Sequence, residues 1–156
     1  MTTTISMLAI DLAQGSFQVC AIGANGAVLY NRVLSQTRLA GLLSEQSACV
    51  VAMEACATSH HWGRVAREHG HEVRLVPAAY VKPFVKRQKN DRAEAIAEAA
   101  SRPTMRFFAV KSVETQGRAV VLRTHQCLVR QRTQLINAFE DSWPSSGSWR
   151  RRGLRA

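Results

Sequence analysis

No two of the four cysteines (Cys20, Cys49, Cys56 and Cys127) stand in a C-x-x-C pair, which sets aside the common thiol redox and zinc-ribbon motifs. Cys49, Cys56, His60 and His61 lie near one another in the chain, but their spacing matches no usual zinc site. Cys20, Cys49 and Cys56 fall in or beside apolar runs and read as buried, reduced thiols of a cytosolic protein. The first residues lack the basic stretch of a secretory signal, and Asp11 interrupts their apolar run. No run reaches the roughly 18 apolar residues of a membrane span, so no membrane partner is expected. From 112 to 139 there is no proline and a single glycine, Gly117, so nothing there breaks a helix.

The chain has 156 residues, of which 46% are hydrophobic. That is enough for a packed core and excludes wholesale disorder; the length suits one domain, or one domain with an appendage. The net charge of +10 is distributed unevenly. Residues 1–81 hold five basic and five acidic residues, residues 82–132 twelve and four, and residues 133–156 four and two. A neutral first half beside a strongly basic second half points to a polyanion partner, most often nucleic acid; the bland alternative is a solvated basic face.

Residues 6–13 (SMLAIDLA) read as a buried strand ending at an acid, and residues 16–23 alternate as a second strand. Asn25-Gly26 signals a tight hairpin into a third strand over 27–34. Thr37 is placed to cap a helix to about Gln46, and ACVVAM over 48–53 suits a buried parallel strand ending at Glu54. Ser59 is placed to cap a helix to about His69, which Gly70 stops. A fifth strand over 72–76 closes at Pro77. Helices follow over 79–87 and 91–101, with a short extended piece over 107–110. From 112 to about 139, Val113, Val120, Val121, Leu128, Leu135 and Phe139 recur at near-heptad spacing. They predict one long helix, available either for coiled-coil pairing or for packing on its own sheet.

The order β-β-β-α-β-α-β-α resembles the ribonuclease-H-like fold. Its expected form is α/β, a mixed sheet flanked by helices and followed by a long C-terminal helix. In that fold acids gather at the ends of the first and fourth strands and on a later helix. The candidates here are Asp11, Glu54, Asp91 and Glu94. Asp91 and Glu94, three apart, share a helix face. Asp11 and Glu54 each end an apolar strand, where an unpaired charge is costly. Clustered carboxylates repel one another, and two Mg²⁺ ions would relieve the repulsion and clamp the oxygens of a phosphodiester. Lys82, Lys86, Arg87, Lys89, Arg92, Arg102, Arg106 and Lys111 surround these acids in sequence and would neutralise phosphates.

The segment from MEAC (53–56) through YVKP (80–83) to KND (89–91), followed by AEAIAEAASRPTMRF and LVRQRTQLINA, resembles the N-terminal domain of DEDD transposases. These are the transposases of the insertion sequence 110 family, related to Piv-like invertases. The likeness runs from about Ile5 to Ala138. It implies a RuvC-like domain with four acids and two Mg²⁺ ions, a long helical region for homo-oligomer assembly, DNA as substrate and a structured bridge RNA as guide. It also implies a further domain carrying a nucleophilic serine, and a bacterial cytoplasmic setting. By that likeness the first acid falls on Asp11, the second on Glu54 and the third on Asp91. The family pattern K-N-D-x-x-D-A-E-A-I is met by K-N-D-R-A-E-A-I, two residues shorter. The fourth acid is therefore either replaced by Glu94 or deleted.

The expected organisation is a DEDD domain over 1–111, a long helix over 112–140 and a disordered basic tail over 141–156. The family pattern LAEFGIVAPQG, written in GC-rich codons and shifted by one base, reads as the W-P-S-S-G-S-W-R-R-R-G of residues 143–153. The chain is thus expected to be a frameshifted, truncated transposase, inactive alone. A non-catalytic module for DNA or bridge RNA is the alternative. Asp11 with Gly15 also resembles the first phosphate loop of actin-like ATPases, but these need a second Gly-rich loop and a longer chain. The nucleotide sequence beyond codon 135 tests the frame expectation. A one-base shift should restore the family's C-terminal pattern with its serine, and the absence of any such frame would contradict it.

Overall fold

An apolar run and two following strand segments build a three-stranded meander. In the computed structural model, which describes residues 4–13, 15–85 and 92–142, these are β1 (Ile5–Leu12), β2 (Phe17–Gly23) and β3 (Val28–Leu34). Helix α1 (Gln36–Glu45) leads to β4 (Val50–Glu54), and α2 (Ser59–Glu68) to β5 (Glu72–Val76). The sheet order is β3-β2-β1-β4-β5, with β1 antiparallel to β2 and parallel to β4, and β4 parallel to β5. A short helix α3 (Ala78–Val81), a 3-10 turn over Lys82–Phe84, α4 (Arg92–Ala100) and the long α5 (Val113–Ser142) complete the order. This mixed sheet with flanking helices and a long C-terminal helix is the ribonuclease-H-like arrangement expected from the sequence. The chain divides into two compact units, Met1–Gln116 and Gly117–Ala156, with the division falling inside α5. Lys86, Arg87, Lys89 and Asp91 lie outside the described residues, as does the 143–156 stretch.

The two faces of the sheet are both buried. One face presents Leu8, Ile10, Val19, Val51, Met53 and Leu75, packed with Leu39 and Leu43 of α1 and Trp62 and Ala66 of α2. The other presents Met7, Ala9, Cys20, Ala52 and Val76, packed with Ala93, Ile96, Ala97 and Ala100 of α4. The second face is lined by small side chains, so α4 lies close to the strands. A sheet covered on both sides explains the continuous apolar runs of β1 and β4.

Several local details depart from the sequence reading. The α1 cap is Ser35, whose Oγ accepts from the Arg38 N–H at 3.4 Å, rather than Thr37. Ser59 is the first residue of α2 and is buried; its Oγ accepts from Cys56 N–H at 3.1 Å and donates to Cys56 O at 2.9 Å, tying down the turn after Glu54. The helix expected over 79–87 tightens at Pro83, because proline lacks the N–H and disfavours α geometry before it. The hairpin at Asn25-Gly26 has a four-residue loop, in which Asn25 Oδ1 accepts from Ala27 N–H at 3.1 Å and Gly26 takes φ +78°. Cys56 is exposed, because β4 ends at Glu54 and Cys56 stands in the turn. Among the described residues, no helix is long and apolar enough to cross a membrane.

His71 supplies an interaction that the sequence did not advertise. It is buried, with its Nε2 2.8 Å from the Leu43 carbonyl and its Nδ1 accepting from Cys49 N–H at 3.2 Å. The ring thus joins the end of α1 to the approach to β4. Replacing it strands both backbone groups in the interior, which costs about 2–3 kcal/mol. His71→Ala should lower the urea-unfolding free energy by about that amount, whereas His69→Ala, at an exposed position, should change it by under about 0.5 kcal/mol.

Candidate functional site

The parallel register of β1 and β4 fixes where the first two acids go. Its last pair is Ile10 with Met53, so the next residues along each strand are Asp11 and Glu54. Each lies two residues beyond a side chain of the α4 face, Ala9 and Ala52 respectively, and therefore points to that face. Two acids thus stand at the carboxyl ends of adjacent parallel strands, whose backbones are about 4.8 Å apart. Two charges at that separation repel by about 1 kcal/mol in water and by roughly 3 kcal/mol at an effective dielectric of 20.

The counter-charge in this structure is Arg92. Its Nη2 lies 3.3 Å from Glu54 Oε2, with the Glu54 side chain 17% exposed and Arg92 51% exposed. Arg92 opens α4, whose buried alanines and Ile96 fix the helix on the sheet.

Glu94 is held elsewhere. Its Oε1 accepts from Asn31 Nδ2 at 2.9 Å, and Gln18 Nε2 donates to Asn31 Oδ1. Asn31 belongs to the cross-strand row Asn31–Cys20–Ala9–Ala52. That row lies one side-chain step below Glu54, and β3 is three strand spacings, about 14 Å, from β4. Bound to Asn31, Glu94 forms no metal-holding group with Asp11 and Glu54 among the described residues. Beneath it sits Cys20, whose thiol is pushed up to about 11 from an ordinary 9.0, first by burial and then by the Glu94 carboxylate.

Two Mg²⁺ ions need a set of carboxylates that the described residues do not assemble. Asp11 and Glu54 come together, Glu94 is bound to Asn31, and Asp91 lies outside the described residues. Among the described residues, no group of three or more His, Cys, Asp or Glu side chains is arranged to hold a metal ion.

The basic residues around the acids are largely at the surface. Lys82, Arg102 and Arg106 are exposed and Lys111 is half-buried. Arg102 pairs with Glu98 and lies over the Phe84 ring, 5.5 Å from its centroid. His60 accepts the Lys111 N–H on its Nδ1 at 3.3 Å. Arg64 donates to Lys111 O at 2.7 Å and to Gln116 Oε1 at 3.0 Å, holding the start of α5 to α2. His61 lies edge-on to Trp62, which packs in turn against Phe17.

Comparison with known proteins gives the family. The DEDD family model of the insertion sequence 110 type, described as transposase, matches residues 8–142. The chain belongs to this transposase family. It is 44% identical over 135 residues to a Pseudomonas aeruginosa protein named "Probable family 20 transposase", covering 85% of this chain and 40% of that protein. It is 38% identical over 153 residues to the transposase for insertion sequence element IS1111A of Coxiella burnetii, covering 97% of this chain and 42% of that one. It is also 36% identical over 135 residues to the transposase for insertion sequence element IS1328 of Yersinia enterocolitica, covering 85% of this chain and 40% of the relative. The chain therefore spans about two fifths of the length of these relatives.

Sequence reasoning listed Arg92 as a phosphate contact and missed that its partner is Glu54. A signal was available. Aligned from A-E-A-I backwards, the residue of this chain that stands at the last Asp of K-N-D-x-x-D-A-E-A-I is Arg92.

The Cys20 thiol gives a pH prediction for this face of the sheet. Its folded value of about 11 lies above the unfolded 9.0, so between those limits the unfolded chain loses the proton first and stability falls as pH rises. The loss should reach roughly 2 kcal/mol by pH 11. Cys49, also raised by burial, adds to it. Urea titrations of Cys20→Ala should show a shallower decline from pH 9 to 11; an unchanged slope would mean that Cys20 does not carry the effect.

Proposed function

We propose that this chain is the acid-bearing amino-terminal part of a DNA transposase, that it binds DNA, and that these residues alone do not carry out strand transfer. The family match over 8–142 supports the reading most directly, together with the Asp11–Glu54 pair on adjacent strand ends. In the whole protein, the acids would lie beside the phosphodiester that is broken and rejoined. Lys82, Arg102 and Arg106, with Lys86, Arg87 and Lys89 in the neighbouring sequence, would neutralise flanking phosphates. Each such contact releases counter-ions, so affinity falls steeply with salt.

The proposal extends to partners. A guide RNA, as the family resemblance implies, would meet the same basic residues, and the setting would be the bacterial cytoplasm. Helix α5 carries Val113, Val120, Val121, Leu128, Leu135 and Phe139, all exposed, and no buried side chain. Such a helix has an apolar seam to offer a second copy, which supports homo-oligomer assembly.

A second reading, a nucleic-acid-binding module without catalysis, is favoured by the Arg92–Glu54 pair, since it neutralises one of the acids. Mobility-shift and cleavage assays separate the two. The expected result is salt-sensitive DNA binding with no Mg²⁺-dependent cleavage by the chain alone; cleavage would contradict the proposed inactivity, and absent binding would contradict both readings. Lys82→Ala with Arg106→Ala should weaken binding at physiological salt by about tenfold and reduce the slope of log affinity against log salt by about 2.

A further inference from the structure

We propose that the Arg92 guanidinium takes the place of a divalent cation at Glu54, so that one charge of the Asp11–Glu54 pair is met from within the chain and the pair does not retain a metal ion. The inference deepens the functional reading above and rests on its assignment of Asp11 and Glu54 as the acids of the site.

Three observations carry it. First, Asp11 and Glu54 follow the last registered pair of two adjacent parallel strands and point to one face. Two carboxylates so placed are sufficient to hold Mg²⁺ or Mn²⁺, which keep several waters and need only one or two such ligands. Their charge must be met by something. Second, Arg92 meets it, with Nη2 3.3 Å from Glu54 Oε2. The position is set by packing, because Ala93, Ile96, Ala97 and Ala100 bury one side of α4 against the sheet. A divalent ion arriving at Glu54 would find a positive charge already within contact distance, and like charges at that range in a partly buried setting repel strongly. Third, Glu94, the acid in the first turn of α4, accepts from Asn31.

Neutralisation by a side chain differs from neutralisation by a metal in what it leaves open. A guanidinium donates hydrogen bonds but does not activate water or a hydroxyl by coordination. The site then carries one negative charge fewer and can sit beside a DNA phosphate without hydrolysing it.

The test is a calorimetric titration of the full chain with Mn²⁺ at physiological ionic strength, with electron paramagnetic resonance of free Mn²⁺ as a second readout. Arg92→Ala should bind Mn²⁺ at least tenfold more tightly than the unaltered chain, and Arg92→Lys, which keeps the charge, should bind as weakly as the unaltered chain. Adding Glu54→Gln to Arg92→Ala should abolish the gain. Thermal unfolding by circular dichroism verifies that each variant is folded, and Arg92→Gln, which keeps most of the side-chain length, replaces the alanine variant if that one is not. Equal Mn²⁺ affinity in the unaltered chain and Arg92→Ala would overturn the proposal, as would a gain that survives Glu54→Gln, or no Mn²⁺ binding by any variant. DNA binding by the unaltered chain is measured separately, so a failure of the functional reading is distinguishable from a failure of this one.

Discussion

Two carboxylates at the ends of adjacent buried strands require a counter-charge, and much of this molecule is arranged around that requirement. Asp11 and Glu54 are brought side by side by the parallel register of β1 and β4. That register is in turn fixed by apolar residues on both faces of the sheet, since a slip of one residue would exchange every inward and outward side chain. The acids therefore cannot separate without undoing the core. What can vary is the charge set opposite them, and here it is Arg92.

The packing of α4 makes that choice of counter-charge durable. Its alanines allow close approach to the small side chains Ala9, Cys20 and Ala52. The first turn of the helix is thereby held at the strand ends, and whatever residue occupies the position of Arg92 faces the β4 acid. Farther along, the Gln18–Asn31–Glu94 chain of hydrogen bonds fixes the helix over β2 and β3. The first turn of α4 thus carries both the ion pair with the site, from Arg92, and an amide-bound carboxylate directed to β3, from Glu94.

The fold was largely legible in the sequence because its signals are local and periodic. The alternation of β2, the apolar runs of β1 and β4, and the proline-free stretch leading into α5 each specify an element without reference to the rest of the chain. Asp11 and Glu54 were legible for the same reason, as acids ending apolar strands. The partners of Glu94 and Arg92 were not, because they depend on which strand the helix crosses. Asn31 lies 63 residues from Glu94, and no periodicity in either segment links them. The role of His71 was not legible either, since a histidine after a glycine looks the same in sequence whether it faces solvent or the Leu43 carbonyl. Cys56 was read as buried on the strength of neighbouring apolar residues, although the strand had already ended two residues earlier.

Membership of the transposase family and the internal ion pair bear on different parts of function. The family relation rests on relatives of which this chain spans about two fifths; the ion pair concerns whether the described residues present an open metal site. The central claim is that Arg92, and not a metal ion, compensates Glu54. A crystal structure of the chain grown in millimolar Mn²⁺, with an anomalous difference map, tests it most directly. The account predicts no anomalous peak between Asp11 and Glu54 and a guanidinium still in contact with Glu54; a Mn²⁺ peak shared by the two carboxylates, with Arg92 turned away, would contradict it.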